Sequence, residues 1–259
     1  MRVWRRGGCN ESALFTKLSE KPLEPGGKTG EKHTVCLDAF LYFCPVNRRK
    51  VMVDTVSDYY TDIRLKYNRL NPLSVEGTGM TDEQFYTFCM ENPELRIERN
   101  AHGKIIVMPP TNSETGNYNS EINAELVIWN RQHKLGKTFD SFTGFKLPNG
   151  ADRSPDTAWI TNERWNALPA EQKRKFAPIV PDFVLELRSD DQNLTELREK
   201  MGEYMNCGCR LGWLVEPQNR CTYVYFANGD IRTVKFDEVL SGAEVMPGLE
   251  VRLGEVLGV

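Results

Sequence analysis

Two short strings constrain this chain more than any others: SPDTAWI at 154–160 and PDFVLELRS at 181–189. Both are apolar and strand-like, and both carry charge into that setting. Asp156 sits in the first; Glu186 and Arg188 sit in the second. Side chains along a strand alternate faces, so Glu186 and Arg188 share one face while Leu185 and Leu187 point the other way, toward a core. An acid buried in an apolar strand is costly unless something pairs with it. A divalent metal bridging Asp156 and Glu186 is such a partner. Solvated charges at an exposed sheet end are the alternative.

Spacing decides which acids can share an ion. Asp182 and Glu186 lie on one strand face but four residues apart, roughly 13 Å at about 3.3 Å per residue. Ligand oxygens must sit within about 2.0–2.6 Å of a metal, so that pair is excluded. Asp156 comes from a separate segment and can lie beside Glu186 if the two strands are neighbours. Between them WNALPAEQKRKFA reads as a helical excursion that lets the chain return.

Residues 1–79 look unlike the rest. EKPLEPGGKTGEKH at 20–33 is loop-like, CLDAFLYFCPV at 36–46 is a short apolar run, and 59–73 could hold a short helix. The segment reads as an extension, weakly structured or docked on a domain formed by 80–259. Met80 is also a candidate start, because TDEQFYTF opens as a fresh helix with Thr81 as N-cap and Gln84 completing a capping box. From there the pattern is regular. LRIERNAHGKIIVMPP predicts a hairpin turning at 100–103. NYNSEINAELVIWNRQHKLG predicts a helix over 118–134, with Ile122, Leu126 and Trp129 on one face and Gly136 ending it. TFDSFTGFKL alternates as a strand, and PNGADRS reads as a turn. A helix over 192–206 carries the stripe Leu194, Leu197, Met201 and Met205. LGWLVEP and CTYVYFA are strands. The order predicts an α/β or α+β fold with a mixed central sheet flanked by helices.

No run of about 18 apolar residues occurs, so no membrane span is expected. The basic N-terminus lacks an apolar region typical of a signal peptide. Seven cysteines show no metal-like clustering, consistent with reduced thiols and a cytoplasmic location. The net charge is −3, distributed as +4 over 1–79 and −7 over the remainder. Such a balance argues against binding nucleic acid through a broad basic surface. It leaves room for acids gathered around a metal.

Phosphodiester hydrolysis needs a nucleophilic water, charge stabilisation and help for the leaving oxygen, which Mg²⁺ or Mn²⁺ held by carboxylates can supply. Asp156, Glu186 and the Leu187 carbonyl would hold the ion. Arg188 would face the phosphate; its fixed charge suits stabilisation but makes it a poor base. Lys200 offers a second cation if its helix packs over the strand end, although Glu196 at i−4 predicts an ordinary surface pair. Glu121 and Glu125, one helical turn apart, could add a carboxylate or form a solvated face.

The ordered series SPDTAWI, VPDFVLELRS, LREKMGEY and then Gly208, Trp213 and Pro217 resembles the PD-(D/E)XK nuclease superfamily, and more closely its Uma-type family of putative restriction endonucleases. The resemblance covers about 80–255. It implies a restriction-endonuclease-like fold with Asp156 and Glu186 as metal-binding acids. Arg188 stands in the place of the superfamily lysine, Lys200 matches the helix lysine of the family, and Glu121 matches the first-helix acid. It further implies an Mg²⁺-dependent endonuclease acting on DNA. A homodimer is expected because two centres are needed to cut a duplex, with LGWLVEP and CTYVYFA as apolar edge strands that could form its interface. The alternative is a nucleic-acid-binding or regulatory module of the same fold that has lost turnover; hydrolysis of another phosphate ester is a third reading.

Overall fold

The computed structural model describes residues 79–259 and three strand segments before them, at 34–35, 64–68 and 71–76. The stretches at 20–33 and 36–46 lie outside the described residues. The strands ahead of residue 79 are β1 (Thr34–Val35), β2 (Arg64–Asn68) and β3 (Asn71–Glu76). The described part of 59–73 is therefore extended where a short helix was expected. The alternation of RLKYN, polar and apolar by turns, is a strand period that the helix reading overlooked.

Helix α1 (Asp82–Glu91) begins with the expected capping box: Thr81 Oγ1 accepts from Gln84 N–H, and Gln84 Oε1 accepts from Thr81 N–H. The hairpin follows as β4 (Arg96–Arg99) and β5 (Ile105–Met108), paired antiparallel. Helix α2 (Ser113–His133) starts five residues earlier than the periodicity indicates, because Asn112 caps it by accepting from Thr115 N–H. Gly136 does not end this helix. Lys134 takes the left-handed turn, and Gly136 opens β6 (Gly136–Phe139). Asn130 grips Gly136 through both its N–H and its carbonyl. A Cβ at Gly136 would lie 2.3 Å from Ile160 O and 2.4 Å from the Trp159 ring, so close packing demands glycine there.

The expected single strand over 138–147 is two pieces, β6 and β7 (Phe145–Lys146), split where Asp140 accepts from Phe142 N–H and the Thr143 hydroxyl. Part of the expected turn at 148–154 is β8 (Asp152–Arg153). Then come β9 (Thr157–Thr161), α3 (Asn162–Ala167) and β10 (Phe183–Leu187). Helix α4 (Leu194–Asn206) leads to β11 (Leu211–Glu216), β12 (Cys221–Phe226) and β13 (Ile231–Lys235). β14 (Leu240–Ser241) and β15 (Glu250–Val251) precede α5 (Leu253–Leu257).

One sheet runs β1-β2-β3-β5-β4-β8-β7, a second runs β13-β12-β11-β10-β9-β6, and β14-β15 form a small third. In the second sheet β10 pairs parallel with β11 across the α4 crossover and antiparallel with β9. This mixed α+β arrangement matches the sequence expectation. Both β10 and β11 are buried along their whole length. Their alternation splits the core in two. Phe183, Leu185, Leu187, Trp213 and Val215 pack with Ile122, Leu126 and Trp129 of α2. Val184 and Leu214 face Leu197, Met201 and Tyr204 of α4. Gly212 lets α4 come close, for a Cβ there would sit 2.4 Å from Met201 Cε.

The two strands expected to be sheet edges are interior. β11 lies between β10 and β12, and β12 between β11 and β13, so neither has a free edge to offer a second copy. The ends of this sheet are β13 and β6. The short apolar runs hid this, because a buried central strand and a bare edge read alike without knowledge of their neighbours.

Candidate active site

The site is built where β9 and β10 run side by side. Thr157 pairs with Leu185, which sets Asp156, just before β9, beside Glu186. Glu186 faces α4, and Asp156 lies near enough for its charge to act on Glu186. Asp156 Oδ2 accepts from Leu187 N–H at 2.8 Å, tying it to the strand that carries Glu186. Asp182, excluded by its spacing, is fully buried and held elsewhere, by Thr161 N–H at 3.0 Å and Arg164 at 2.9 Å.

Helix α4 delivers Lys200 and Tyr204 one turn apart. Lys200 Nζ stands 2.8 Å from Glu186 Oε1 and 2.8 Å from Glu98 Oε1. It points inward and bridges two buried acids; no pairing with Glu196 accompanies it among the described residues. Tyr204 donates its hydroxyl to Glu186 Oε1 at 3.0 Å. Among the described residues, Glu186 Oε2 accepts no hydrogen bond.

Three charged members of this cluster, Arg96, Glu98 and Arg153, escaped the sequence reading. Arg96 and Glu98 lie two apart on β4, on the face opposite Ile97, which enters a core with Phe85 and Ile105. Glu98 is almost fully buried and accepts from Ser154 N–H and Arg153 as well as Lys200. Arg153 also donates to Glu203 Oε2 at 2.5 Å. Arg96 Nη2 donates to Asp156 Oδ1 at 3.0 Å and to Ser154 O at 2.8 Å. The available signal was the string RIER, where an acid and a base alternate with residues that face a core.

The structure does not bring every expected residue to this point. Arg188 shares the face of Glu186, but its guanidinium pairs with the fully buried Glu216 on β11 and donates through Nε to Gln192 O. Its backbone N–H bonds Val215 O, which continues the parallel register and fixes it next to Glu216. Glu121 is exposed on α2, and among the described residues its side chain makes no ion pair or hydrogen bond to the cluster. The α2 residues that face the sheet pack on the Leu185–Leu187 side, opposite Glu186.

Shared charge sorts the two acids that compete for Lys200. Burial works to raise Glu98, but Lys200, Arg153 and Ser154 N–H hold it down at about 2. Glu186 has only a share of Lys200. Burial raises it, and the charges of Asp156 and Glu98 add to the rise, up to about 7. Lys200 is opposed by burial but pulled upward by both acids, so it stays an ammonium. Burial, followed by the charges of Glu186 and Glu98, pushes Tyr204 well above its ordinary value, so it remains a donor.

The donor set fits a hard divalent cation. One carboxylate lies on β10 and the other just before its neighbour β9, Glu186 has an oxygen free of hydrogen bonds from the described residues, and the upward shift of Glu186, caused by burial and by the charges of Asp156 and Glu98, is one that a cation would oppose. Among the described residues no group of three or more His, Cys, Asp or Glu side chains is arranged around one ion position. The set is accordingly two acids, with the neighbouring Leu187 backbone as the expected third ligand.

Comparison with known proteins bears on the family and the fold. A family described as Uma2, putative restriction endonuclease, matches residues 82–254. No curated protein sequence matches the chain. Among solved structures, a putative nuclease belonging to DUF820 from Anabaena variabilis superposes with a TM-score of 0.54 at 19% identity, covering 62% of this chain and 89% of that one. At that identity the likeness speaks to fold alone. No helix of the described residues is long and apolar enough to cross a membrane.

Proposed function

The chain belongs to the Uma2 family of putative restriction endonucleases, and from that premise we propose that it is a Mg²⁺- or Mn²⁺-dependent endonuclease that hydrolyses phosphodiester bonds in DNA. The single observation that carries the reading is Lys200 at the Glu186 carboxylate while Asp156, at the head of the neighbouring strand, accepts from Leu187 N–H next to Glu186. Asp156, Glu186 and the Leu187 carbonyl would hold the cation. When bound, it would supply polarisation of the phosphate and a more acidic water.

The chain's own residues perform the remaining work. Tyr204 fixes the Glu186 carboxylate by donating to Oε1, which leaves Oε2 directed elsewhere. Glu98, held ionised by Arg153, keeps Lys200 charged and oriented. Lys200 can then offset negative charge that builds up on the phosphate, or hold an attacking water in line. Arg188, bound to Glu216, braces the end of β10 against β11. Cutting both strands of a duplex requires two such centres, so the proposal includes a homodimer whose interface is not formed by β11 or β12.

Incubating the full chain with supercoiled and linear DNA tests this reading. Nicking or linearisation is expected with Mg²⁺ or Mn²⁺ and is expected to stop with EDTA. DNA binding without cleavage, and without heat on titrating metal, would assign the protein instead to the binding-module reading.

A further inference from the structure

Arg188, Lys200 and Arg96 are the cations that could meet a phosphate near the acid pair, and they differ in how many of their donors are committed. Arg188 is paired with a fully buried carboxylate and donates Nε to a carbonyl. Lys200, 12% exposed, lies 2.8 Å from each of two buried acids. Arg96 is different. Its side chain is 22% exposed, the most open of the three. Among the described residues only its Nη2 has partners, Asp156 Oδ1 and Ser154 O. Its Nε is buried and makes no hydrogen bond to them. A buried, unmade N–H on a charged group is uncommon because it forfeits solvation without replacement. Its Nη1 also makes no hydrogen bond to them and, unlike Nε, is not enclosed, so an anionic oxygen from solution can reach that edge of the guanidinium.

We propose that Arg96 is the residue that binds a phosphate of the nucleic acid at this centre, in the part the sequence assigns to Arg188. The inference rests on the nuclease reading for the identity of the ligand. The guanidinium is suited to it, being planar, permanently charged and still holding the two N–H groups of Nη1 for phosphate oxygens. Its bond to Asp156 Oδ1 orients the group and links phosphate binding to the acid that would hold metal. Since Arg96 enters from β4, the hairpin ahead of α2 is a working part of the centre.

The test is fluorescence anisotropy with a short labelled DNA duplex, without divalent metal and at several salt concentrations. Removing one phosphate contact lowers the slope of log affinity against log salt by about one. Arg96→Gln is expected to weaken binding about tenfold and to lose that unit of slope, while Arg188→Gln, which leaves Glu216 without its cation and is compared only where circular dichroism and a melt show it folded, keeps the wild-type slope. Arg96→Lys retains a charge for Asp156 and so guards against misfolding, which circular dichroism monitors. It is expected to keep the slope but bind several-fold more weakly, because the fork is gone. Wild-type affinity in both Arg96 variants, loss of the slope unit in Arg188→Gln, or a wild-type chain that does not bind duplex each overturns the proposal. Absence of cleavage with the Arg96 effect intact removes the enzymatic reading and leaves this one standing.

Discussion

Asp156→Asn and Glu186→Gln are each expected to lower metal-dependent DNA cleavage by at least about 10³-fold, since losing even one charge-stabilising donor typically costs about 10²–10³. Both changes are nearly isosteric. In Asp156→Asn the new amide oxygen can still accept from Leu187 N–H, so a folded protein is expected, with an unchanged far-ultraviolet circular dichroism spectrum. Titration calorimetry with Mn²⁺ should show affinity reduced about 100-fold or more, because partners one step removed from a metal already cost about 10–100-fold. Glu186→Gln carries a second expectation. Glu186 holds its proton up to about 7 in the folded chain but to its ordinary value, 4.5, when unfolded. The folded state binds more protons between those values, so this group's contribution falls as pH rises from 4.5 to 7. Gln imitates the protonated form, and the variant should melt at or above the wild-type temperature at pH 8. The same proton competes with metal. Wild-type Mn²⁺ affinity should rise about tenfold per pH unit below 7 and level off above it. Full metal binding by Glu186→Gln would break the account.

Lys200→Met should destabilise the protein by about 3–5 kcal/mol at pH 7, the usual cost of stripping one partner from a buried ion pair. The substitution leaves Glu98 and Glu186 facing each other without their shared ammonium. Glu98 sets the acid side of the profile. It is held at about 2 in the fold, so its contribution is present above 4.5 and disappears as pH falls toward 2. With Lys200 gone, that advantage shrinks, and the loss measured by urea denaturation should be larger at pH 7 than at pH 4. A change below about 0.5 kcal/mol is the value of an exposed pair on a helix. That result would put Lys200 at the surface with Glu196 and remove it from the centre.

What the sequence revealed depended on the range of the signal. The β9–β10 pair and the β10–α4–β11 unit were legible because their periods are local. Thr81 and Gln84 were legible for the same reason, lying three residues apart. Asp156 and Glu186 needed one further step, that neighbouring strands bring remote acids together. Glu98 could not be reached in this way. Its bond to Lys200 spans 102 residues and crosses from the hairpin sheet to α4. Arg188 illustrates the opposite difficulty. Its face was read correctly from alternation, but the parallel register that sets Glu216 beside it is a property of β11. Edges are non-local too, which is why β11 and β12 read as edges and are interior.

The central claim is that Asp156 and Glu186 share one cation. A crystal grown with Mn²⁺ and mapped by anomalous scattering examines it most directly. The account predicts a single strong peak within about 2.0–2.6 Å of an oxygen from each carboxylate. A peak held by only one of them, or none at saturating Mn²⁺, contradicts it.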